Sequence, residues 1–143
     1  MSPADPGAGG YRLQDQIGFI LRKAHQRHVA IFASHIADLT PPQFAALAKL
    51  RDMGETSQNQ LGMLIAMDAA TVKGVIDRLA ARGLVQLSKH EVDKRRLQVR
   101  LTDEGRRAVD DLVPLARQIT EETMAPLTEK DAATLVSLLA KIS

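Results

Sequence analysis

The residues best suited to chemistry are cations. His90-Glu91-Val92-Asp93-Lys94-Arg95-Arg96 ends in three consecutive positive side chains. The flat, multi-donor head of Arg95 suits a narrow DNA minor groove, while Lys94 and Arg96 suit phosphate. Phosphate would repel Asp93, whose better role is an Asx-type turn that orients Arg95. Upstream, Thr71 can hydrogen-bond a base or meet a thymine methyl, and Lys73 can reach guanine or phosphate. Ala69 and Ala70 before them are small enough to allow close approach. Ser57 and Gln58 can bind phosphate through side chains and backbone N–H groups at a helix start. Ser57 can serve as a helix cap at the same time, and plain solvent exposure is the alternative for Thr71 and Lys73.

A second group is built from imidazoles. His25, His28, Phe32 and His35 follow at steps of three, four and three, which stacks them on one side of a helix. No cysteine or close carboxylate completes a metal set around them, so zinc is the weaker reading. The chain carries no GxSxG, Walker, GxGxxG or HExxH pattern, and nothing fixes a nucleophile beside a base. The expectation is therefore a protein that is not an enzyme and needs no cofactor.

The elements that must position these residues follow from periodicity and caps. Ser57 and Gln60 have capping-box spacing, and Leu61, Leu64 and Ile65 share one side of the helix they start. Asp68 can cap a second helix, in which Val72, Val75, Ile76 and Leu79 recur at helical spacing, and Gly83 closes it. Leu84, Val85 and Leu87, then Leu97, Val99 and Leu101, suit two short strands flanking the basic tip. Two helices on a short turn followed by a basic hairpin describe a winged helix-turn-helix, with the second helix sized for a major groove.

Around this unit the chain is mainly α. A helix is predicted over residues 11–37, with Leu13, Ile17, Ile20, Leu21 and Ala24 on its apolar face. Thr40, Pro41 and Gln43 give a strong start to the next, which carries Phe44, Leu47 and Leu50 and ends at Gly54. Thr102 starts a long helix reaching Met124, which Pro114 should bend, and Thr128 caps a last one bearing Leu135, Leu138, Leu139 and Ile142. The division expected is a mobile tail over 1–10, a winged helix-turn-helix DNA-binding region over 39–101, and a helical dimerisation region over 11–38 and 102–143. The apolar faces of the terminal helices exceed what one winged unit can cover, so a homodimer is expected. Its two recognition helices would lie roughly 34–36 Å apart on a pseudo-palindromic operator in double-stranded DNA.

Composition fits this reading. The 143 residues are 45% hydrophobic with no cysteine, which suits one domain with a real core and excludes disulfides and thiolate chemistry. Residues 54–101 hold eight Lys/Arg against five Asp/Glu, whereas residues 102–143 hold five against eight. The basic surplus thus lies where phosphate would be met. No apolar run is long enough for a membrane span, and MSPADPGAGG lacks the features of a signal peptide, so the expected location is the cytoplasm.

The segments LTPPQFAALAKL (39–50), SQNQLGMLIAMDAATVKGVIDRLAARGLV (57–85) and DKRRLQVRLTDEG (93–105) resemble the MarR family of bacterial transcription regulators. The resemblance implies a triangular, mainly α-helical dimer with a winged helix in each subunit. It also implies repression relieved by a small molecule, commonly an aromatic carboxylate or phenol held between the dimer helices and the winged lobe. His25, His28, Phe32 and His35, with Phe44, could line such a pocket; a half-exposed polar face or dimer packing are the alternatives. Gly62 and Gly74 depart from the family's usual alanine and polar or basic residue. Two other functions remain open at this point: a winged-helix module for protein interaction, and a DNA-binding regulator with no small-molecule effector.

Overall fold

The computed structural model describes residues 10–143; the tail expected over 1–10 lies outside them except for Gly10. Among the described residues there are six α-helices and three strands: α1 (Ile17–His35), α2 (Pro41–Met53), β1 (Thr56–Ser57), α3 (Gln58–Leu64), α4 (Ala69–Ala81), β2 (Val85–Lys89), β3 (Leu97–Leu101), α5 (Asp103–Met124) and α6 (Glu129–Lys141). None of these helices is long and apolar enough to cross a membrane. Residues 36–117 form one compact unit; residues up to His35 together with 118–143 form another.

The helix starts are set by side-chain caps, each satisfying a backbone N–H that the helix cannot. Thr40 makes a full capping box with Gln43, ahead of prolines at the first two positions of α2. Ser57 Oγ accepts from Gln60 N, Asp68 Oδ1 from Thr71 N, and Thr128 Oγ1 from Asp131 N. α1 starts later than the periodicity suggested. Residues 13–15 instead form a short 3-10 turn, closed by an extended Gln16 whose side-chain amide donates to Arg12 O. α5 runs without interruption across Pro114.

In the unit 36–117, the apolar stripe of α4 (Val72, Val75, Ile76, Leu79) is buried with Leu47 and Leu50 of α2, Leu61 of α3, Val85 and Val99 of the sheet, and Val109 of α5. Each such side chain contributes roughly 1.5–3 kcal/mol by leaving water. α3 and α4 approach closely at Gly62, where a Cβ would stand 3.1 Å from Val72 Cγ1 and 3.2 Å from Met67 O. That contact gives a physical reason for glycine at a place where alanine is usual.

The wing differs from the two-stranded hairpin expected. β3 is central, flanked by β2 and by the two-residue β1, all antiparallel. Thr56 pairs with Val99 and Ser57 with Gln98, so the cap of α3 is also a strand residue fastened to the wing. Two residues are too short to show an alternating pattern, which is why the sequence hides this strand.

In the other unit, α1 is fastened to the C-terminal end of α5. Arg27 donates to the carbonyls of Thr123 (2.7 Å) and Glu122 (3.0 Å), His28 Nδ1 lies 2.9 Å from Thr123 Oγ1, and His35 Nε2 pairs with Glu122. A guanidinium on the last carbonyls of a helix satisfies orphan acceptors and opposes the negative helix end.

Candidate nucleic-acid interface

α4 presents a sharp division of faces. Its stripe is buried, while Ala69, Ala70, Thr71 and Lys73 are exposed along the polar side. The Asp68 cap shapes this end: its carboxylate takes the backbone N–H and the hydroxyl of Thr71, and these bonds hold its pKa below the ordinary 3.8. Lys73 Nζ rests on Asp77 Oδ2 at 2.7 Å, one turn along the helix. Both side chains are exposed, so this pair holds Lys73 by at most about 1 kcal/mol and yields to a phosphate.

Asp77, Arg78 and Arg82, close together in the sequence, do not form one salt-bridged set. Asp77 takes Lys73, while Arg82 ties the end of α4 to the carbonyl and carboxylate of Asp38. No ion pair of Arg78 appears among the described residues. Arg78 lines a shallow groove with Thr40, Pro42, Gln43, Ala70, Thr71, Gly74 and Val75.

In the wing, Asp93 Oδ1 accepts from the backbone N–H of Arg95 at 3.1 Å and from its Nε at 3.4 Å. The Arg95 side chain is 94% exposed, so the carboxylate anchors its base while the guanidinium stays available. Lys94 and Arg96 are exposed as well. Ser57 and Gln58 share a groove with Asn59, Gln60, Met63, Arg95, Arg96 and Leu97. The helix start and the basic tip are therefore adjacent surfaces, which the sequence order alone did not place together. Asn59, Gln60 and Met63, the last 77% exposed, were missed as groove residues. Their only local signal was their position on the first turns of α3.

The imidazole face divides too. His25 is exposed, Phe32 is buried, and His28 and His35 are half-buried with their nitrogens on Thr123 and Glu122. Phe44 is half-buried on α2, in the other unit. Among the described residues no cluster of three or more His, Asp or Glu is placed to hold a metal ion.

The profile of the MarR family matches residues 39–97, which run from the start of α2 into β3. The chain is 43% identical, over 92% of its length and 85% of the relative's, to the HTH-type transcriptional repressor NicR of Pseudomonas putida. The chain belongs to the MarR family. Among solved MarR-type structures, a probable transcriptional regulator from Pseudomonas aeruginosa is 50% identical, with a TM-score of 0.88 over 92% of this chain and all of that one. BpsR of Bordetella bronchiseptica, solved in a study of how 6-hydroxynicotinic acid regulates its DNA binding, is 43% identical, with a TM-score of 0.88 over 92% of this chain and 96% of that one. The winged-helix assignment and the mainly α architecture expected from the sequence agree with these neighbours.

Proposed function

We propose that this chain acts as a homodimeric repressor that binds a pseudo-palindromic operator in double-stranded DNA and is released by a small aromatic acid. The observation that carries this reading is the division of α4: an apolar stripe sunk in the core, and a small, polar and cationic edge facing water, in the same compact unit as a cationic wing. In this reading Ala69, Ala70, Thr71 and Lys73 enter the major groove. Ser57, Gln58, Lys94 and Arg96 hold backbone phosphates. Arg95, braced by Asp93, enters the neighbouring minor groove. Residues 39–101 read DNA, residues 11–38 and 102–143 hold the dimer, and the protein works in the cytoplasm, where its operator lies.

The dimer is supported by exposed apolar surface in the terminal unit: Tyr11, Leu13, Ile17 and Ile20 at one end of the chain, and Leu135, Val136, Leu138 and Ile142 at the other. α6 has no buried residue at all, an arrangement a helix of this composition sustains when a second copy covers it.

For the effector, the acid that regulates the DNA binding of BpsR is an aromatic carboxylate, and this chain carries His28, Phe32 and His35 in succession along α1, with His25 one turn earlier and Phe44 on α2. Imidazole N–H groups can donate to a carboxylate and a ring can stack on an aromatic acid. His28 and His35 would exchange Thr123 and Glu122 for the ligand, which links effector binding to the hold of α1 on α5. The test is recovery of bound genomic fragments, followed by competition with 6-hydroxynicotinate and other aromatic acids. A palindromic sequence whose retention falls with one of these acids is expected. Recovery of no preferred sequence rejects the DNA reading, and retention unaffected by the whole panel rejects the effector.

A further inference from the structure

His90 closes β2 and stands at the root of the wing tip, where its own N–H donates to Arg96 O at 2.9 Å. Its ring does something different. Nδ1 accepts two backbone N–H groups, from Val92 at 3.2 Å and from Asp93 at 3.0 Å. Asp93, so fixed, accepts Arg95 N and Arg95 Nε on one carboxylate oxygen, and Arg96 N donates to Asp93 O at 3.0 Å. The tip is thus a relay: imidazole nitrogen, backbone of Asp93, carboxylate of Asp93, arginine. Its first link exists only while Nδ1 bears no proton, because a protonated imidazole has donors on both nitrogens and accepts nothing.

We propose that His90 is the positioning residue of the wing, and that its protonation releases the loop that presents Arg95, making operator discrimination sensitive to acid. The proposal rests on the reading of Arg95 as a DNA contact. Histidine is the side chain whose charge changes between about pH 5 and 8, so the device works in a range that cells visit. The charged groups around the ring are of both signs. Glu91 is next to it and Glu55, before β1, shares its groove with Ser88, Lys89, Val92 and Gln98. Asp93 lies within the turn. Lys89, Lys94, Arg95 and Arg96 are the cations of the same tip.

Protonation has a second effect of opposite sign, since an added cation attracts any duplex. The quantity that isolates the positioning role is therefore the ratio of operator affinity to affinity for unrelated DNA. Two lost hydrogen bonds lower that ratio roughly tenfold. His90→Asn separates the two properties, because its Oδ1 stands on Cγ as Nδ1 does, accepts the same N–H groups and does not titrate.

The experiment measures this ratio between pH 5.5 and 7.5 for the full-length protein and for His90→Asn, and follows the Val92 and Asp93 amide resonances of the DNA-free protein through the same range. The expected result is a ratio that falls in acid for the wild type and stays level for His90→Asn, with both amides moving as the His90 ring titrates. Matching ratio profiles for the two proteins overturn the proposal. So do amides that ignore the ring's titration, whatever the DNA result. A wild type that does not discriminate at pH 7.5 overturns the DNA reading instead, and the amides then decide the fate of the latch alone.

Discussion

Two helical glycines in the unit 36–117 should respond to the same substitution with opposite sign. At Gly105, in the first turn of α5, a Cβ would stand 1.9 Å from Leu84 O and 2.9 Å from Leu84 C. Both are backbone atoms and cannot rotate aside. The start of α5 would have to retreat by roughly 1.5 Å to reach ordinary contact, an overpacking strain costing about 1–3 kcal/mol. That retreat pulls on a tight joint: Thr102 Oγ1 donates to Gly83 O at 2.6 Å, Thr102 N to Leu84 O at 3.1 Å, and Gly105 N to Thr102 Oγ1 at 3.0 Å. Losing two of these adds about 2 kcal/mol, against a gain of about 1 kcal/mol in helix propensity. Gly105→Ala should therefore destabilise the protein by roughly 2–4 kcal/mol. At Gly74 in α4 a Cβ meets only the Arg78 guanidinium, at 3.7 Å, so Gly74→Ala should gain about 1 kcal/mol. Urea unfolding followed by circular dichroism measures both, at a fixed protein concentration. If Gly105→Ala is as stable as the parent, or Gly74→Ala is the more damaging of the two, the packing argument for these joints is wrong.

Three further outcomes follow from the electrostatics of α4. Lys73→Ala should weaken operator binding and lower the salt slope of log K by about 1 if the amine reaches phosphate, while Asp77→Asn, by freeing Lys73, should tighten binding at low salt; binding titrations over a salt series read both. Asp68 has its native pKa lowered by the N–H and hydroxyl of Thr71, so its capping contribution is fully present above 3.8 and is lost as pH falls through the lower native value. The stability gap between the parent and Asp68→Asn, which keeps an acceptor without the charge, should stay constant above about pH 4 and close below it in acid unfolding.

Much of the fold was legible because its signals are local. The caps at Thr40, Ser57, Asp68 and Thr128 and the stripe Val72-Val75-Ile76-Leu79 depend on residues within a turn or two, and each is where the spacing placed it. What the sequence did not yield are partnerships across the chain. Arg82 with Asp38, Arg51 with Asp110 (2.5 Å), and Arg27, His28 and His35 with the end of α5 join residues far apart, with no periodic trace. The same limit explains β1, visible only through its pairing with β3, and His90, which reads as one more polar tip residue until its ring nitrogen is located. The charged residues of α4 were legible by type but not by pairing, since Asp77 has cationic neighbours at both four residues before and one residue after it.

The central claim is that two copies of α4 lie in successive major grooves of one operator while the wings grip alongside. Methylation interference at guanine N7, combined with hydroxyl-radical footprinting on a recovered operator, tests it most directly. Two interference patches centred roughly 34–36 Å apart on one face of the duplex, with flanking backbone protection that disappears in Arg95→Ala, are expected. Binding indifferent to major-groove methylation, or protection confined to a single half-site, would contradict it.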